Sequence, residues 1–105
     1  MQTENHTLIH RIQDLAQPLL ESHGLELVLA EFASENGRRI LRILMDKPGG
    51  ITLDDCARFA REFGYLLDIH MDIPGQYTLE VSSPGINRPL VSPRDFERFA
   101  GETVK

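Results

Sequence analysis

The 105-residue chain has no tryptophan, one cysteine and two tyrosines, and no apolar run near the roughly 20 residues that a bilayer span needs. The single Cys56 excludes an internal disulfide and fits a reducing compartment. The start, Met1-Gln2-Thr3-Glu4-Asn5-His6, has neither the basic flank nor the apolar stretch of a signal peptide, so a cytoplasmic location and no membrane partner are expected. Positive charge is also in deficit. Eleven Lys plus Arg stand against 16 Asp plus Glu, a formal net charge of −5, which disfavours a sequence-blind nucleic-acid coat that works by neutralising many phosphates. Hydrophobic residues make up 41% of the chain, enough for one modest core and too many for a disordered segment.

The negative charge is unevenly spread. Residues 51–83 hold two basic and six acidic side chains, whereas residues 84–105 hold four and three, so only the tail escapes the acidic excess. Pro84, Pro89 and Pro93 crowd the same tail, and they predict a linker over residues 84–91 between a domain at 1–83 and a further unit at 92–105.

Leu8, Ile9, Ile12, Leu15, Ala16, Leu19 and Leu20 recur at helical spacing and predict a helix over about 7–22, closed by Ser22-His23-Gly24. Pro18 predicts a kink or an early end in it, since an internal proline removes one backbone bond. Leu25–Phe32 and Arg39–Asp46 have strand length and composition, and Asn36-Gly37 between them is a strong hairpin signal. Thr52 and Asp55 have capping-box spacing ahead of a second helix reaching about Ile69, with Leu53, Cys56, Ala57, Ala60, Phe63 and Leu67 on its apolar face. Tyr77–Ser82 alternates as a third strand. The order α-β-β-α-β predicts an α+β, two-layer domain: a three-stranded sheet with two helices on one face.

Catalytic and metal chemistry find little to stand on. His6 and His10 are four apart, but no Cys or Glu follows at ligand spacing, and Cys56 falls on the apolar stripe of the second helix. Asp54 and Asp55 suit the first turn of a helix, where the dipole favours acids. Lys47-Pro48-Gly49-Gly50 lacks the phosphate-loop pattern, and Ser82-Ser83 lie in no nucleophile elbow. No enzyme, metal or cofactor is expected. Binding is the better prospect. Arg38 and Arg39 form a basic hairpin tip, and the run Glu80, Ser82, Ser83, Pro84, Gly85, Asn87, Arg88, Pro89 offers backbone and hydroxyl groups and one planar guanidinium for gripping a partner.

The run Tyr77–Leu90, together with Gly24-Leu25-Glu26-Leu27-Val28 and Gly49-Gly50-Ile51-Thr52-Leu53-Asp54-Asp55-Cys56, resembles the bacterial ribosome maturation factor family RimP over essentially the whole chain. One position departs from the family pattern: Asn87 stands where an Asp usually precedes Arg88. The resemblance implies a non-catalytic factor for assembly of the small (30S) ribosomal subunit, which binds the immature particle through a ribosomal protein and adjacent rRNA. It also implies a C-terminal SH3-like or Sm-like β-barrel, of which residues 92–105 would be the truncated start. A monomer is expected. The competing class is a stand-alone KH-like RNA-binding module, whose element order is similar but whose Gly-x-x-Gly loop between helices is missing.

Overall fold

The computed structural model describes the backbone of residues 2–95 and the side chains of residues 7–85 and 89–94. The elements run α1 (Gln2–Ser22), β1 (Glu26–Glu35), β2 (Arg38–Asp46), α2 (Leu53–His70), β3 (Gln76–Ser83) and β4 (Ile86–Asp95). Pro18 does not end α1, which continues to Ser22 with Ile12, Ala16 and Leu20 buried on its inner face. The helix closes through Leu25 N–H to Leu20 O at 2.8 Å and Gly24 N–H to Glu21 O at 3.1 Å. This pair of hydrogen bonds needs the positive φ of +69° that Gly24 supplies.

Asn36 and Gly37 both have positive φ, 54° and 76°, as the tight two-residue hairpin turn requires. The turn uses only those two residues, so β1 and β2 extend closer to it than composition indicates. A bulge between Leu27 and Leu29 then changes the facing of β1. Leu27 pairs with Met45 over the core, but Leu29 pairs with Leu44 on the other face and is 39% exposed. The single face that a regular strand would give Leu25, Leu27 and Leu29 is therefore broken.

Thr52 caps α2 through the reciprocal bonds expected of a capping box: Asp55 N–H donates to Thr52 Oγ1 at 3.0 Å, and Thr52 N–H to Asp55 Oδ2 at 2.9 Å. The buried side of α2 holds Cys56, Phe59, Phe63, Gly64 and Leu67, with the Phe59 and Phe63 rings stacked at 5.1 Å.

Among the described residues the sheet has four strands in the order β1-β2-β3-β4, which corrects the three-stranded expectation. β1 and β2 are antiparallel, β2 and β3 parallel through the α2 crossover, and β3 and β4 antiparallel. The fourth strand, Ile86–Asp95, begins inside the 84–91 stretch that the prolines mark as a linker and runs on into the unit expected from residue 92. Pro84-Gly85 makes a two-residue turn, and Pro89 and Pro93 lie in an edge strand, where a missing N–H is tolerated. The remainder of the expected barrel start, residues 96–105, lies outside the described residues.

Alternate positions of the strands face the helices: Leu41, Ile43 and Met45 of β2, and Tyr77, Leu79 and Val81 of β3. These pack with the inner faces of α1 and α2 into one core. Each fully buried large side chain there contributes about 1.5–3 kcal/mol, which makes this layer the main source of stability. Among the described residues the two helices cover one face of the sheet and nothing covers the other.

Candidate functional site

The open face is set by register. Glu31, Ala33 and Glu35 of β1 lie beside Arg42, Ile40 and Arg38 of β2; Thr78 and Glu80 of β3 follow, then Pro93 and Val91 of β4. Arg42 is at the centre. Its Nε donates to Glu80 Oε2 at 2.6 Å, its Nη2 to Glu35 Oε2 at 2.7 Å and its Nη1 to Glu31 Oε2 at 3.2 Å. The bond to Glu80 first, then that to Glu35, pushes the Arg42 pKa up against the opposing effect of desolvation. Three carboxylates around one guanidinium leave two negative charges in excess. Glu26 and Asp46, paired in the same register, add acid at the far end of the face. Exposed Leu29 and Val91 supply apolar contact area beside the charges.

The residues singled out from sequence do not form one site. Glu80 is in the middle of the open face, held by Arg42. Ser82 lies next to it on the same face, half-buried, while Ser83 is buried and its Oγ accepts the N–H of Gly85 at 3.3 Å. Pro84, Gly85 and Pro89 are exposed around that turn. Asn87 and Arg88 belong to β4, but their side chains lie outside the described residues. Arg38 and Arg39 are at the opposite end, because β2 and β3 run parallel and Arg38 stands level with the start of β3. About six residues of strand, or about 20 Å, separate the two groups. Arg39 is tied down, with Nη1 donating to Pro74 O at 2.8 Å and the guanidinium 4.5 Å above the Phe32 ring.

In the sequence Arg42, Glu31 and Glu35 are only charges flanking the hairpin, and nothing there says whether β2 lies at an edge of the sheet. In fact β2 is an interior strand. Counting outward from Asn36-Gly37 places Glu31 opposite Arg42, so that pair had a signal. Glu80 joins it only through the parallel crossover, which has no local signature.

Groups with reactive potential are otherwise engaged. Cys56 is 1% exposed, and burial together with the nearby Asp55 carboxylate pushes its thiol pKa up, opposite to what a nucleophile needs. Asp54 pairs with Arg58, and His23 with Glu62. Among the described residues no group of three or more His, Cys, Asp or Glu is placed to hold a metal ion, and no helix is long and apolar enough to cross a membrane.

A mixed four-stranded sheet with helices on one face and a charged, partly apolar surface on the other defines an α+β domain. A model of the RimP N-terminal domain matches residues 15–87, and the chain belongs to that family. RimP is a family of non-enzymatic ribosome maturation factors.

Proposed function

We propose that the chain works in assembly of the small ribosomal subunit, where its domain binds a basic ribosomal protein through the open face of the sheet, next to rRNA, and performs no catalysis. The observation that carries this reading is the excess of acid around Arg42: Glu31, Glu35 and Glu80 share one guanidinium, and Glu26 and Asp46 extend the same face. Such a surface attracts a cationic partner, speeds encounter and does so in a salt-dependent way. Leu29 and Val91 then give the contact an apolar part. Membership of a ribosome maturation family supplies the particle in which that partner is met. The Ser82–Pro89 turn adds a second contact at one end of the sheet, and the protein acts as a cytoplasmic monomer.

The test is a pull-down of total small-subunit proteins on the immobilised chain, compared with a variant carrying Glu26→Lys and Glu35→Lys. Recovery of basic ribosomal proteins by the parent and its loss in the folded variant support the reading. Equal recovery by both overturns it. The KH-like alternative is not favoured: Gly49-Gly50 lie between a strand and a helix, not between two helices.

A further inference from the structure

At the end of the sheet where β2 and β3 begin and β4 finishes, the charge reverses. An open-sided cavity of about 490 Å³ is lined there by Arg38, Arg39 and Arg94, with Tyr77 and Thr78 in its wall. Its size is within the range of about 300–1,000 Å³ common to small-ligand sites. Arg38 and Arg39 are adjacent at the start of β2, and Arg94 is brought to them by the pairing of β4 with β3, which sets it opposite Tyr77.

Each arginine is presented differently. Arg38 is exposed and pairs with none of the described side chains. Arg39 points to the other side of the strand, fixed by Pro74 O and by the Phe32 ring beneath it. Arg94 donates from Nη1 to Asp68 Oδ2 at 3.1 Å and lies so close to α2 that a Cβ on Gly64 would collide with it. Its Nε is buried and has no hydrogen-bond partner among the described residues. Among the described side chains Asp68 is the one carboxylate bonded to these three guanidiniums, which leaves Arg38 and Arg39 with no bonded carboxylate there, in a chain whose net charge is −5.

A single planar carboxylate is satisfied by one guanidinium fork. Three guanidiniums, two from opposite sides of β2 and one from β4 on the far side of β3, fit an anion with several oxygens in three dimensions, as a phosphate has. The cavity is much larger than a phosphate ion, and leaves room for an attached sugar and base. The Arg39 plane, already held against Phe32, suits stacking on a base.

We propose that the cavity of Arg38, Arg39 and Arg94 binds a nucleoside phosphate, free or as one residue of an RNA strand. The site is at the opposite end of β2 and β3 from the Ser82–Pro89 turn, and it stands independently of protein binding by the open face.

Amide NMR titrations of the full 105-residue chain test this, with adenosine monophosphate, a ten-residue oligouridylate and a ten-residue polyglutamate as probes at one salt concentration. The expected result is movement of the Arg38, Arg39, Tyr77, Thr78 and Arg94 signals with at least one of the two nucleotides, and affinity about tenfold weaker in Arg38→Gln, which removes an exposed charge and leaves the core intact. Tighter binding of the oligouridylate than of the monophosphate identifies a strand as the source, and the reverse identifies a free nucleotide. Absence of movement with both, an Arg38→Gln variant that binds as well as the parent, or the same shifts with polyglutamate overturns the proposal.

Discussion

Arg42 Nε donates to Glu80 Oε2 at 2.6 Å across the parallel pair β2 and β3, in the register that sets these two residues side by side. The bond joins strands whose connection runs through the whole of α2, so it ties together parts of the fold that are distant in sequence. It also fixes the centre of the acidic face. Both side chains are partly shielded, Arg42 23% and Glu80 16% exposed, which sets the pair between a solvated surface bridge and a buried one.

Glu80→Gln is therefore expected to lower stability by about 1 kcal/mol, below the roughly 1.5–3 kcal/mol of charge-assisted bonds, because solvent screens part of the interaction. Glu31→Gln is expected to do less, since its bond is longer, 3.2 Å, and its side chain 41% exposed. Urea unfolding of the two variants beside the parent measures both effects and their order.

The hydrogen bond from the Thr52 N–H, with a smaller contribution from the nearby Lys47, holds the Asp55 carboxyl below its ordinary pKa of 3.8. A lowered folded-state value means stability that is fully present above the unfolded pKa and lost as pH falls through the folded one. Asp55→Asn is thus expected to be less stable than the parent at neutral pH. The gap should narrow on acidification from about pH 4 downward, as followed by chemical denaturation at a series of pH values.

Gly64→Ala makes a sharper test of the packing between α2 and β4. The added Cβ meets only the end of the flexible Arg94 side chain, so the guanidinium is displaced and the helix is spared. Higher helix propensity offsets the disturbance, and the net change in stability should be within about 1 kcal/mol. The Arg94–Asp68 pair is lost, so Asp68→Asn should have a smaller effect in the Gly64→Ala background than alone in a double-mutant cycle.

Cys56 and Phe59 report on the core. A thiol reagent should modify Cys56 only as fast as the domain opens, because the thiol is buried and held in its neutral form. Phe59→Ala removes a fully buried ring and should cost about 3–5 kcal/mol, a large part of the total stability of a small domain.

Local chemistry was plain in the sequence. Asn36-Gly37 makes the hairpin, Thr52 and Asp55 cap α2, and the helical spacing of Ile12, Ala16 and Leu20 marks the buried side of α1. Features that depend on pairing were not. Three prolines after Ser83 indicate a linker by composition, yet an edge strand tolerates them. The bulge beside Val28 turns Leu29 outward without a residue that announces it. The same limit governs the site. Arg38 and Arg39 were visible as a pair, whereas Arg94 joins them only because β4 returns along β3.

The central claim is that the open face, with Arg42 at its middle, meets a basic protein of the small subunit. Calorimetric titration of a purified basic small-subunit protein into the chain and into a Glu26→Lys, Glu35→Lys variant tests it most directly. The account predicts binding that weakens as salt rises and is about tenfold or more weaker in the folded variant. Equal affinity for the two chains at every salt concentration would contradict it.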